Sequence, residues 1–214
     1  MKRWCAFHVP MLLTLTTALG CSVGEGDGRI VSERLHIKDC WTGPLDLVPD
    51  FFAADPYREE TLQIRVQRGD TNEDKTDGML VLIRDLQGVR AQAGNPIEVG
   101  LPAGVAPPGT SPAAKPNERP ASAKVSLSLY MNDTCHGLNA TIHSLSGTIT
   151  FKSLFSGDPN EENGEERLTD ADFTADFADP REVLEVDDPS TIISTIRGSF
   201  SFYFQRGQPA QPFQ

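Results

Sequence analysis

Lys124-Val125-Ser126-Leu127-Ser128-Leu129-Tyr130-Met131 alternates with a period of two. Val125, Leu127, Leu129 and Met131 fall on one side and Lys124, Ser126, Ser128 and Tyr130 on the other, the signature of a strand with one buried face. The same period recurs on both sides of this stretch. Upstream it predicts strands over Arg29–Ile37, over Thr61–Gln67 and around Ile97, Val99 and Leu101, while Gly78–Leu86 is apolar on both faces and reads as a central strand. Downstream, Asn139–Leu145 and Thr148–Phe155 flank Ser146-Gly147, a pair suited to a tight hairpin. Leu168–Phe177 and Arg197–Gln205 close the series, the last with Phe200, Phe202 and Phe204 on one face. Short strands in succession, with no long amphipathic helix, predict an all-β fold: a single antiparallel sandwich or barrel-like domain of about nine strands. A helical turn is expected around Asp179–Leu184.

Two stretches read as connections. Trp41–Asp55 carries Pro44 and Pro49 among the aromatics Trp41, Phe51 and Phe52, and Pro102–Ser122 holds six prolines. The second reads as an extended linker within one domain, because the strands before it are too few to close a core alone.

The 214 residues carry 30 acidic against 19 basic side chains, a net charge of −11. That balance disfavours nucleic acid and anionic surfaces as partners, and a solvated acidic exterior accounts for it. Chemistry-bearing patterns are sparse. Asp70–Gly78 places oxygen ligands at alternate positions, yet Lys75 stands where a calcium loop needs its turn glycine and Val81 where it needs a terminal glutamate. Asp158–Glu166 is a second acidic loop without that register. Beyond the leader the histidines are His36, His136 and His143, none beside a Gly-x-Ser-x-Gly elbow, and no phosphate-cradling glycine loop follows a strand. No catalytic residue, cofactor or metal site is expected. The aromatics Trp41, Phe51, Phe52 and Tyr57 are the one set suited to recognition, as a platform for a carbohydrate or another small molecule; the alternative is a small core beneath a long loop.

The N-terminus is more telling. Lys2 and Arg3 precede an apolar run, Trp4–Leu19, that ends in Gly20-Cys21, which is the plan of an export signal. Pro10, Thr14, Thr16 and Thr17 weaken it as a permanent span. Ala18-Leu19-Gly20-Cys21 resembles the lipobox of bacterial lipoproteins, with Gly20 and Cys21 in place and Ala18 and Leu19 departing from the commoner residues. The chain looks like an uncharacterised Gram-negative lipoprotein in this respect. The resemblance implies a signal peptide over 1–20, lipidation of Cys21, and, through Ser22, sorting to the outer membrane. Ordinary secretory cleavage to a secreted or periplasmic protein is the alternative. Residues 21–28 then read as the lipidated cysteine and a Gly-rich tether, and residues 29–214 as a single β domain containing the Pro-rich loop 102–122. Such a domain would serve the envelope as a structural or partner-binding element, its partner another envelope protein or a carbohydrate.

With Cys5 removed and Cys21 acylated, Cys40 and Cys135 remain. In an oxidising compartment they are expected to pair, closing a loop of about 95 residues valued at roughly 4 to 5 kcal/mol by chain entropy. Two reduced thiols are the alternative, and a zinc site lacks further ligands at suitable spacing.

Overall fold

The structure is a computed structural model that describes residues 26–57, 60–69, 73–105, 122–136, 140–182 and 191–205. Its strands are β1 (Gly26–Ile37), β2 (Trp41–Leu47), β3 (Phe51–Pro56), β4 (Leu62–Gln67), β5 (Asp77–Ile83), β6 (Pro96–Glu98), β7 (Val125–Met131), β8 (Thr141–Ser153), β9 (Leu168–Ala178) and β10 (Ile193–Tyr203). All belong to one antiparallel sheet, ordered β2-β1-β10-β9-β8-β7-β5-β4-β3, with β6 paired to β8 beside the main path. The fold is therefore all-β and barrel-like, with one sheet rather than the two layers of a sandwich.

The two edges of the sheet are consecutive in the chain. β2 pairs with β1, from Ile37 opposite Trp41 to Ile30 opposite Leu47. After only Val48-Pro49-Asp50, β3 pairs with β4, from Phe51 opposite Gln67 to Pro56 opposite Leu62. Trp41–Pro56 is thus one bent segment serving both edges, and Pro49 marks the bend where neither ladder needs its missing amide. The sheet curls into a half-barrel, and β10 pairs back onto β1 with Phe202 opposite Gly26. Where that ladder lapses, side chains continue it: the Ser32 hydroxyl donates to the Thr195 carbonyl at 2.8 Å, and the His36 amide donates to the Ser194 hydroxyl at 2.8 Å.

The concave side is filled. Ile30, Leu35, Leu62, Ile64, Val66, Met79, Val81, Leu127, Leu129, Ile142, Phe151, Phe177, Ile196 and Phe200 are almost fully buried. Phe52 crosses this interior from β3 to stack on Phe202, ring centroids 5.8 Å apart. Its ring also lies over Gly26 and Gly28, where a Cβ would come within 2.9 and 3.1 Å of it. Those glycines, read from sequence as tether, are strand residues that make room for an aromatic ring.

Three other sequence expectations change. The stretch Trp41–Asp55 is not a connection but two strands joined by the bend at Val48-Pro49-Asp50, which interrupts its alternation. β8 runs unbroken through Ser146-Gly147: a bulge between Ser144 and Ser146, with Gly147 at φ 131°, replaces the hairpin. A Cβ at Gly147 would lie 2.4 Å from the Thr174 carbonyl oxygen, so the glycine permits close approach to β9. Finally, the polar sides of Thr61–Gln67 and Lys124–Met131 are not open to water. Arg65, Gln67, Ser126, Ser128 and Tyr130 are all buried, with the Tyr130 phenol donating to Gln67 Oε1 at 2.8 Å. Burial raises the Tyr130 pKa, so this phenol stays a neutral donor. Of the turn expected over Asp179–Leu184, residues 179–182 form a hydrogen-bonded turn that is not part of a helix, the Glu182 amide donating to the Asp179 carbonyl at 3.0 Å, and Val183 and Leu184 lie outside the described residues.

Antiparallel alternation sorts the loops to two ends. One, the disulfide end, holds the β1–β2 turn, the β7–β8 connection and the residues after β9, and Cys40 and Cys135 form a disulfide across it with Cα atoms 5.7 Å apart. The other, the N-terminal end, holds Gly26, the β3–β4 turn, α1 (Leu86–Arg90), the β8–β9 connection and Tyr203. There α1 crosses the mouth: the Leu86 amide donates to the Glu60 carbonyl at 3.0 Å, Arg90 Nε donates to the Leu154 carbonyl at 3.1 Å, and Leu86 and Val89 are buried.

Reducing the disulfide frees the unfolded chain from a cross-link 95 residues long. Urea denaturation with and without reductant is expected to show a loss of up to about 4 to 5 kcal/mol, matched by Cys40→Ala with Cys135→Ala; an unchanged midpoint would show that the bridge adds nothing to stability.

Candidate functional site

At the disulfide end the polar groups are used by one another. Asp179, fully buried, accepts from the Lys38 amide at 3.1 Å and from the Arg181 amide and Nε, each at 2.9 Å. Burial alone would raise its pKa, but the Arg181 hydrogen bonds and charge outweigh that and hold the carboxyl below its usual range. Arg181 returns a bond to the Lys38 carbonyl at 3.0 Å, and Lys38 Nζ donates to the Arg181 carbonyl at 3.1 Å. His36 bridges Thr42 at 3.0 Å and Glu182 at 2.9 Å. Asp77 does the same across the end, accepting from the Asp133 and Thr134 amides at 3.1 and 3.0 Å. This is a clamp between loops, each carboxylate bound by donors of the protein itself.

His143 and Ser128 make the nearest approach to a nucleophilic pair, with Ser128 Oγ 2.9 Å from His143 Nδ1. A working serine needs its histidine oriented by a third group. The Asp179 carboxylate acts on His143 only through its charge, its own lone pairs being taken by Arg181 and Lys38. Desolvation lowers the His143 pKa, with Asp179 opposing, so the imidazole is neutral at pH 7.

The aromatics singled out from sequence are not brought together. Phe52 is in the core. Phe51 is buried on the opposite side of β3. Trp41 begins β2 at the disulfide end, partly buried, its indole donating to the Gly43 carbonyl at 3.3 Å. Tyr57 follows β3 at the N-terminal end and is 49% exposed. They are spread along one bent segment and form no platform. Cys40 and Cys135 are paired as expected, and Cys21 lies outside the described residues.

The N-terminal end carries the described cleft, about 500 Å3 between α1 and the β8–β9 connection, lined among others by Gln87, Arg90, Ser153, Leu154 and Glu166. Its one cation is already committed, since Arg90 is paired to the Glu166 carboxylate as well as to Leu154. Next to Leu154 in the chain, Phe155 stacks on Phe204, centroids 4.1 Å apart. Among the described residues no group of three or more His, Cys, Asp or Glu is placed to hold a metal ion. Sequence reasoning missed α1, whose five residues are too few to show a period, and Tyr203, whose exposure depends on where β10 ends. No protein family, curated protein or solved structure matches the chain.

Because the folded His143 pKa is lowered, the unfolded chain binds its proton first on acidification. Stability from the neutral imidazole is full above about pH 6.5 and declines below it, with a slope of at most about 1.4 kcal/mol per pH unit. Equilibrium unfolding between pH 7 and 5 is expected to show that decline in the parent and a flatter profile in His143→Gln. Identical profiles would mean the site does not titrate as described.

Proposed function

We propose that the chain is a lipid-anchored, non-catalytic protein of the bacterial envelope, held at the outer membrane through Cys21 and presenting its β domain as a structural or partner-binding element. The observation that carries the reading is Gly20-Cys21 at the close of an apolar leader with Lys2 and Arg3 before it. The Cys40–Cys135 disulfide supports it, since such bonds persist in oxidising compartments.

The polarity of the sheet adds support. A strand barrel that spans lipid turns apolar side chains outward and polar ones inward. Here the order is reversed: the concave side is packed with phenylalanine, leucine, isoleucine and valine, while outward positions carry pairs such as Arg29 with Asp46 at 2.8 Å and Lys152 with Asp172 at 2.6 Å. No helix among the described residues is long and apolar enough to cross a membrane. Association with a bilayer would therefore fall to the acyl chains, each buried methylene contributing about 0.8 kcal/mol. Trp41, Phe51, Phe52 and Tyr57 are spread along one bent segment, with Phe51 and Phe52 buried on opposite sides of β3, which weighs against the carbohydrate-binding alternative.

Cys21→Ala is expected to move the protein from the membrane to the soluble fraction, and mass spectrometry of the parent to find an acylated cysteine as first residue. A mature chain beginning elsewhere, or a variant that stays with membranes, overturns the proposal.

A further inference from the structure

We infer that the N-terminal end of the half-barrel rests on the lipid surface, with Tyr57 and Tyr203 as its interfacial contacts; this rests on the anchoring proposed above.

The argument begins with chain length. β1 starts at Gly26, paired with Phe202, so the last three residues of the stretch read as tether belong to the sheet. Five residue steps separate Cys21 from Gly26, and fully extended they span at most about 18 Å. An acylated Cys21 therefore holds this end of the domain within 18 Å or less of the headgroups, whatever path those residues take.

The side chains at this end suit such a neighbour. Among the described residues the large hydrophobics that remain exposed are Val48, Tyr57 and Tyr203, at 58%, 49% and 55%. All three surround the start of β1. Tyr203 follows Phe202, the partner of Gly26. Tyr57 follows the segment whose Phe52 ring covers Gly26 and Gly28, and so lies beyond the first residue of β1. Val48 follows Leu47, the partner of Ile30, and sits higher. Tyrosine pairs an apolar ring with a polar tip and is enriched at membrane interfaces for that reason. The opposite end is closed by the disulfide and its ionic clamp. The acidic Asp158–Glu166 connection shares the N-terminal end, and an anionic surface would repel it, so the surface that fits is zwitterionic.

Trp41 supplies a control, since Trp4 leaves with the leader and Trp41 is then the mature chain's sole tryptophan. It pairs with Ile37 at the far end of β1, about 36 Å of strand from Gly26. The test uses the full lipidated protein in phosphatidylcholine vesicles with brominated acyl chains, comparing the parent with Trp41→Phe/Tyr57→Trp and Trp41→Phe/Tyr203→Trp. Each variant is checked for native circular dichroism. About a two-fold loss of emission is expected at positions 57 and 203, as for a ring at headgroup depth, and none for Trp41. Vesicle flotation without quenching at 57 and 203 overturns the contact and leaves the anchor standing. Equal quenching of Trp41 overturns the orientation, and failure to float overturns both.

Discussion

The half-barrel depends on one segment, Trp41–Pro56, being shared between two ladders. Its first half completes β1 and its second half completes β4, so the sheet has no pair of independent edges, only a bend at Val48-Pro49-Asp50. An unpaired edge invites pairing with other chains, and here the bend draws both edges into one piece of backbone. What makes that geometry hold is apolar: Phe52 must reach across the interior to Phe202, and it can do so only because Gly26 and Gly28 present no side chains beneath it. Two glycines and one phenylalanine, remote in sequence, thus pack the seam where the shared segment meets β1 and β10.

Much of this was legible in the residues. Period-two alternation in Lys124–Met131, Leu168–Phe177 and Arg197–Gln205 reports the interior directly, because each alternate side chain points into the same packed volume. The disulfide was legible by elimination among four cysteines. What the pattern hid has physical causes. Alternation in Trp41–Asp55 is interrupted by a bend, so a shared strand resembled a loop. Gly26 and Gly28 look like a tether because sequence cannot show the ring that excludes a Cβ. In β8 the bulge at Ser144–Ser146 shifts the register and Gly147 mimics a turn, so one strand looked like two. Serine, tyrosine and glutamine on the outer faces of β4 and β7 read as solvated, although burial and mutual hydrogen bonds are equally open to them.

The candidate sites were less legible than the fold, for a related reason. A platform of aromatics requires its members on one face and at one height, and Trp41, Phe51, Phe52 and Tyr57 satisfy neither, being strung along a segment that turns through the barrel. Conversely the clamp of Asp179, Arg181 and Lys38 joins loops far apart in the chain, and no local spacing announces it. The two ends of the domain differ in kind: one is locked covalently and ionically, the other is covered by a single helical turn and bears the exposed tyrosines.

The pairing of β10 with β1 carries a consequence for biogenesis. A polypeptide synthesised amino end first presents β1 long before β10 arrives, and residues 26–31 have no other ladder on that side. Such long-range pairing makes folding slow, because loop-closure entropy must be overcome before the contacts that reward it can form. Completion of the sheet is thus tied to release of the carboxy-terminal strand. Until then a protease would meet an open sheet, and a holding chaperone would have its longest window to act.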